Sequence, residues 1–172
     1  MKKISIFLSI FFFSFSTISY AENIEDFIVE EISVGDSLLD YMTKKEITKI
    51  INDPKTESWK DEWYKINSFE ALELQQYDKI SLFFKRSRKF PIVGIQAYKN
   101  HDSLKNCLEE AREFIFYMMP MFSEKQRKIN YNGGNAMFQW SDSGDYAGCG
   151  CKKDTNTFHF WFATKEAIQF SK

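Results

Sequence analysis

The chain has 172 residues, of which 44% are hydrophobic and 17% aromatic, and its formal charge is −1 because 23 basic residues stand against 24 acidic ones. A chain of this length fits one ordinary domain. The nearly neutral charge gives no reason to expect nucleic acid as a partner, because phosphate binding requires a basic footprint. The sequence also contains no internal repeat and no low-complexity tract.

Residues 1–21 have the pattern of a secretory signal peptide. Lys2 and Lys3 supply the positive start, an apolar run broken only by Ser and Thr follows, and small residues precede a cut after Ala21. The run is shorter than a membrane span, although an uncleaved anchor is the alternative. Without the leader, 21 basic residues remain against 24 acidic ones, a formal charge of −3. We predict a periplasmic or secreted domain over residues 22–172, with no integral membrane span after signal cleavage.

The first part of this domain alternates short β-like and helical segments. Residues 27–34 form a β-like run, and residues 36–42 resemble one or two helical turns. Thr43 and Glu46 have the spacing of a capping box, in which each side chain bonds the amide of the other residue. They predict a helix that ends before Pro54, because the residue preceding a proline disfavours the helical conformation.

From Trp63 onward the hydrophobic period changes from helical to two residues, which indicates strands. The predicted strands cover residues 63–66, 70–74, 79–84 and 91–98. In the last of these we expect Val93, Ile95 and Ala97 to lie on one face.

The clearest helix of the chain covers residues 101–122. Asp102 or Ser103 can cap its start, and Pro120 should end the regular helix because it has no amide hydrogen to donate. The apolar residues fall on one stripe at the helical period: Leu104, Cys107, Leu108, Ala111, Phe114, Ile115, Met118, Met119 and Phe122. This broad apolar face needs a sheet to cover.

Turn residues separate the strands that follow the helix. Residues 132–135 and 141–145 supply the turns, because glycine, asparagine and aspartate favour turn conformations. The last strand, residues 157–163, is the most aromatic one, with Phe158, Phe160 and Phe162 on one side and His159 and Trp161 on the other. A strand that is apolar on both sides needs a second layer or a partner chain. Most of its aromatic residues fit a core, and some can line a groove for a ligand or partner.

The order of elements predicts the fold class. Connections of hairpin length imply antiparallel strands, and the helices occur between the runs of strands. We therefore predict a single α+β domain, in which an antiparallel β-sheet carries two or three helices packed on one face.

The three cysteines are Cys107, Cys149 and Cys151. Export to an oxidising compartment makes a disulfide the default expectation. Cys149 and Cys151 share one face of a strand and Cys107 faces the sheet, so either strand cysteine can pair with the helix cysteine. A strained disulfide between Cys149 and Cys151 would be easily reduced and would instead suggest a redox function. A Cys149 thiol activated by His159 would suggest a thiol-dependent enzyme or hydrolase.

Other catalytic and metal signatures are weak. The two histidines, His101 and His159, lack the spacing of zinc ligands. Asp142 and Asp145 lie in a turn that lacks the length and closing glutamate of a calcium loop. No known catalytic fingerprint occurs. We therefore assign no catalytic residue and expect neither a metal site nor a cofactor.

Four cations, Lys85, Arg86, Arg88 and Lys89, stand within five residues. One interpretation is contact with an anionic surface: lipid headgroups, lipopolysaccharide or an acidic protein. The other is a solvated hairpin loop that also discourages edge-to-edge strand pairing. We favour the second interpretation, because such runs are common on protein surfaces.

Several motifs occur together along the mature chain: VGDSLLDY at 34–41, YDKISLFF at 77–84, VGI at 93–95 and SGD at 143–145. Two cysteines accompany them: Cys107 lies in the first turn of the long helix, and Cys151 lies six positions after Asp145. In this combination the chain resembles a group of short exported proteins of marine, Pelagibacter-like alphaproteobacteria. The resemblance implies that Cys107 and Cys151 are disulfide partners and that Cys149 is a free thiol. The resemblance assigns no catalytic residue to this chain.

These observations favour a non-enzymatic exported domain that binds a protein or a cell-envelope component. The alternative is a small exported thiol-dependent enzyme or hydrolase that uses Cys149 and His159.

Overall fold

The computed structural model describes residues 23–59, 62–69, 73–121, 130–132, 135–140 and 142–168. The predicted signal peptide lies outside these ranges, and so does Phe122 of the predicted helix stripe. The ten strands in the described residues are β1 (Ile28–Val29), β2 (Ile32–Ser33), β3 (Glu57–Trp59), β4 (Trp63–Ile66), β5 (Lys79–Lys85), β6 (Ile92–Asn100), β7 (Asn130–Asn132), β8 (Asn135–Gln139), β9 (Tyr146–Lys152) and β10 (Thr157–Ala163).

Eight of these strands form one antiparallel sheet in the order β3-β4-β5-β6-β10-β9-β8-β7, and β1 pairs with β2 separately. The sheet consists of two meanders, because β3 to β6 pair in sequence and β7 to β10 pair in sequence. The meanders join where β6 pairs with β10. These two strands therefore lie at the centre of the sheet, and the predicted antiparallel α+β domain is confirmed.

Within the described ranges, three α-helices accompany the sheet: α1 (Lys44–Asn52), α2 (Leu104–Met118) and α3 (Lys165–Ile168). α1 and α2 pack on one face, which we call the inner face, and bury Ile47, Cys107, Ala111, Ile115 and Met118 in the main core. The short α3 lies at one end of the opposite face, the outer face, where Ala167 joins a small cluster with Trp63, Val93 and Ala163. No helix in the described ranges combines the length and apolar character that a membrane crossing requires.

The helix signals read from the sequence are confirmed. Ser103 is the N-cap of α2, and its Oγ accepts a hydrogen bond from the Asn106 amide at 3.2 Å. After Met118 the chain continues as a 3-10 turn through Pro120, as expected where regular helix must stop. Thr43 and Glu46 form the predicted capping box, with the Thr43 amide 2.7 Å from a Glu46 carboxylate oxygen.

The predicted β-like run at 27–34 is wrong in one respect, because it folds as a tight hairpin of β1 and β2. Glu30 and Glu31 make the turn with positive φ angles of 48° and 71°. The Glu30 carboxylate accepts hydrogen bonds from the amides of Gln75 and Gln76, at 2.9 and 2.6 Å. These long-range bonds stabilise a backbone conformation that non-glycine residues rarely adopt.

Two further strand predictions are wrong. Val93 does not share a face with Ile95 and Ala97, because a register shift opposite Phe83 and Phe84 places Val93 in the outer-face cluster. The predicted strand at 70–74 is not formed at Glu73 and Leu74, and its first three residues lie outside the described ranges.

Candidate functional site

The long helix is covalently joined to the sheet. A disulfide links Cys107 of α2 to Cys151 of β9, with 6.0 Å between the two Cα atoms and 44 residues between them in sequence. The pairing implied by the resemblance is therefore present. A disulfide is compatible with a location outside the cytoplasm, where thiols are not kept reduced.

Cys149 is the free cysteine, and it is fully buried on the inner face. Its thiol donates a hydrogen bond to the Ala111 carbonyl oxygen at 3.8 Å. Burial raises the pKa of this thiol to about 12. Because the thiolate is the nucleophilic form, such a group is chemically inert near neutral pH.

The structure does not bring Cys149 and His159 together. In the β9–β10 register, Cys149 stands opposite Phe160, whereas His159 stands opposite Gly150. Since side chains alternate across a strand, the thiol lies on the inner face and the imidazole on the outer face.

The basic segment covers Lys85, the last residue of β5, and the loop that leads from it to β6. Arg86, Arg88 and Lys89 are exposed, and the Lys85 ammonium lies 5.0 Å from the centre of the Trp63 ring. Within the described residues no carboxylate pairs with these four cations. The Ser37 hydroxyl donates to the Lys89 carbonyl at 2.6 Å and so holds the end of the loop. Contact with an anionic surface stays a prediction.

Two of the remaining candidates, Asp145 and His101, have structural partners, whereas Asp142 is exposed. The Asp145 carboxylate accepts a hydrogen bond from the Lys165 amide at 2.8 Å and so ties the turn before β9 to α3. His101 lies 2.8 Å from Glu110, which also pairs with Lys99 at 2.9 Å. Among the described residues no three metal-binding side chains converge.

The outer face carries a group of aromatic side chains at the centre of the sheet. Tyr98 on β6 pairs in register with His159 on β10, and Trp161 lies two residues further along β10. The ring centres of His159 and Trp161 are 5.5 Å apart with an angle of 18° between their planes, and those of Tyr98 and His159 are 6.4 Å apart at 31°. All three side chains are only half-buried. We call these three residues the aromatic platform.

Two glycines of β9 leave space in which the Trp161 and His159 rings can lie close to the sheet backbone. Gly148 stands opposite Trp161 and Gly150 opposite His159. A Cβ atom at Gly148 would overlap the indole of Trp161, and one at Gly150 would overlap the Asn135 side-chain oxygen and approach the His159 ring to 3.3 Å. The indole therefore leans across the neighbouring strand, into space that any other residue at position 148 would occupy.

The outer face is also cationic. Strand alternation and register place Lys65, Lys79, Lys85 and Lys152 on it, and among the described strand residues facing outward the one acidic side chain is Glu57. Glu57 lies 3.6 Å from Lys65. The platform itself is flanked by Lys79 and Lys152, whose ammonium groups each lie 5.3 Å from the centre of the Tyr98 ring.

Each of the four outer-face lysines lies over an aromatic ring. Lys65 lies 5.5 Å from the centre of Phe83, Lys85 lies 5.0 Å from Trp63, and the other two flank Tyr98. The electron-rich ring face attracts the ammonium group, and this attraction orders long side chains that are otherwise mobile. The result is a sheet surface on which positive charge and aromatic area alternate.

Sequence reasoning placed His159 and Trp161 together on one side of the last strand but did not join them to Tyr98, Lys79 or Lys152. One local signal was available: glycines at alternate positions of β9 match the spacing of the two large side chains of β10. No protein-family model matches the chain, and neither curated proteins nor solved structures give a significant match.

Proposed function

We propose that this chain is an exported, non-enzymatic domain that binds a protein or cell-envelope component, and that the outer sheet face is its binding surface. The observation that carries the proposal is the aromatic platform: its three rings at the centre of the sheet remain partly exposed, and Lys79 and Lys152 lie beside one of them, Tyr98. Exposed aromatic area next to ordered polar groups is the composition of recognition sites.

The state of the cysteines supports binding over thiol catalysis. A cysteine nucleophile needs an accessible thiolate and a nearby base. Cys149 has a raised pKa and is buried, and His159 faces the other side of the sheet. The other two cysteines, Cys107 and Cys151, form the disulfide and therefore present no free thiol.

The export part of the proposal is tested by the intact mass of the protein recovered from the cell envelope or medium of an expressing bacterium. We expect a chain that begins at Glu22 and is two hydrogens lighter than the fully reduced form. A mass that retains residues 1–21 would contradict signal cleavage.

The binding part is tested by co-sedimentation of the mature protein with isolated envelope fractions: outer membrane, inner membrane and cell-wall polysaccharide. We expect the wild type to sediment with one fraction, and the Trp161→Ala variant to remain in solution. The matched control is Arg86→Gln/Arg88→Gln, which removes charge from the basic loop and leaves the platform intact. Equal sedimentation of the wild type and Trp161→Ala would overturn the assignment of the binding surface.

A further inference from the structure

We propose that the aromatic platform binds a carboxylated saccharide, a uronic-acid-bearing polysaccharide, with sugar rings against Trp161 and His159 and a carboxylate between Lys79 and Lys152. This inference rests on the proposed function, because it names the ligand class for the same surface.

The platform fits the shape and surface of a sugar ring. One face of a pyranose presents C–H hydrogens of slight positive charge, and these pack favourably on the electron-rich face of an aromatic ring. Trp161 and His159 lie 5.5 Å apart at a small interplanar angle. The next ring, that of Tyr98, follows at 6.4 Å. The three rings are spread over two neighbouring strands, with His159 and Trp161 stacked on β10 and Tyr98 beside His159 on β6. Such a surface suits successive sugars of a chain better than one compact molecule.

Charge complementarity selects an acidic ligand. The mature chain carries a formal charge of −3, yet its outward-facing strand residues carry four lysines against Glu57, which pairs with Lys65. The ammonium groups of Lys79 and Lys152 each lie 5.3 Å from the centre of the Tyr98 ring and have no carboxylate partner among the described residues. Two like charges near one ring repel each other, and an anion placed between them relieves that repulsion.

Two amide side chains, which form no side-chain hydrogen bond to any described residue, border the same rings. Gln96 stands opposite Trp161 in the β6–β10 register and is half-buried. The Asn135 side-chain oxygen lies over Gly150, next to the His159 ring. An amide offers both donors and acceptors and therefore matches the hydroxyl groups of a sugar.

A polysaccharide is favoured over single-stranded nucleic acid, which also stacks on aromatic residues. Nucleic acid carries one phosphate per nucleotide, so its binding needs a continuous track of cations. On the platform the cations cluster at the Tyr98 end, and Trp161 at the other end adjoins Gln96 and Gly148. This arrangement fits a ligand with separated charges and neutral polar groups between them.

The test is a titration of the ¹⁵N-labelled mature protein with a hyaluronan oligosaccharide, in which glucuronate alternates with the neutral sugar N-acetylglucosamine, and with its methyl ester as the matched neutral ligand. We expect the acid to shift the Trp161 indole and Gly148 amide signals and the ester to bind about tenfold more weakly or not at all. Lys79→Gln/Lys152→Gln should lower affinity for the acid by about tenfold, and Trp161→Ala should abolish the shifts. Arg86→Gln/Arg88→Gln, with the same loss of charge, should bind as the wild type does.

Four results would overturn the inference: no binding of the acid at millimolar concentration, equal binding of acid and ester, tighter binding of an oligothymidylate than of the uronate, or equal weakening by the loop and platform charge variants. If the inference fails while Trp161→Ala still abolishes sedimentation with an envelope fraction, the platform remains the binding surface and only the ligand class is wrong. Thermal unfolding of each variant shows whether it is folded, and Trp161→Phe, which keeps a ring, replaces Trp161→Ala if the latter is not.

Discussion

The indole of Trp161 lies across Gly148 on the neighbouring strand, so closely that a methyl group at position 148 would overlap the ring. The three nearest atoms to that methyl group all belong to Trp161. The glycine and the tryptophan therefore depend on each other: one supplies the space that the other fills. This relationship lets the Trp161 indole lie close against β9.

We predict that Gly148→Ala lowers the free energy of unfolding by about 1–3 kcal/mol, because the added methyl group must displace the indole. In a Trp161→Ala background the same change should cost much less, since the ring is gone. Urea unfolding of the wild type, both single variants and the double variant gives the coupling energy. An equal cost of Gly148→Ala in both backgrounds would show that the backbone of β9, and not the indole, requires glycine.

The disulfide between Cys107 and Cys151 gives a second prediction. It closes a loop of 44 residues, so Cys107→Ser/Cys151→Ser should lower the free energy of unfolding by about 4 kcal/mol in the loop-entropy model. Denaturant unfolding without reductant measures the loss. Cys149→Ala is the matched control, because it removes a buried sulfur and leaves the bridge intact. Similar stability losses in the two variants would mean that the bridge adds little.

The sequence predicted the elements whose patterns are long. α2 and the strands β5, β6 and β10 each repeat their apolar residues several times, so the period is unambiguous. β3 and β7 have three residues each, too few to display a period, and they were missed. The face of Val93 was wrong because a bulge depends on the partner strand as well as on the strand that carries it.

The candidate site was harder to predict for a related reason. Which residues of β6, β9 and β10 stand side by side depends on the register between strands that are distant in sequence. Alternation alone indicated that His159 and Trp161 share a face. Only the register places Tyr98 beside His159 and Gly148 beneath Trp161. The disulfide had the same ambiguity, because Cys149 and Cys151 share a face and only the position of α2 selects Cys151.

The buried thiol supplies a third prediction. Because burial raises the pKa of Cys149 to about 12, we expect the native protein to resist alkylation by iodoacetamide at pH 8. In guanidinium chloride without reductant, one thiol per chain should react at the rate of an ordinary cysteine. Mass spectrometry counts the added groups. Rapid labelling of Cys149 in the native protein would contradict its burial and would favour the alternative hypothesis of a thiol-dependent enzyme.

His159 gives a pH-dependent prediction. Burial and the charge of Lys152 lower the pKa of this imidazole below its ordinary value. Between the folded and unfolded pKa values the unfolded chain binds more protons, so the free energy of unfolding must fall as the pH falls through this window. The stability that the folded protein has with a neutral His159 is fully present above the ordinary histidine pKa of about 6.5. It is lost as the pH falls below that value. We expect His159→Gln to flatten the dependence of stability on pH just below neutrality, as measured by urea unfolding at several pH values.

The charge of Lys152 can be separated from burial in the same system. Lys152→Gln removes one positive neighbour of the imidazole and leaves its burial nearly unchanged, so the pKa of His159 should rise toward its ordinary value. Lys79 carries the same charge and lies 5.3 Å from the centre of the Tyr98 ring, which neighbours His159, so Lys79→Gln should act in the same direction. Arg86→Gln is the control, because Arg86 lies in the exposed loop and should leave the pKa unchanged. NMR titration of the His159 ring protons measures the three variants. An unchanged pKa in both lysine variants would mean that the two ammonium groups exert no effective electrostatic field at the platform, too little to attract an anion.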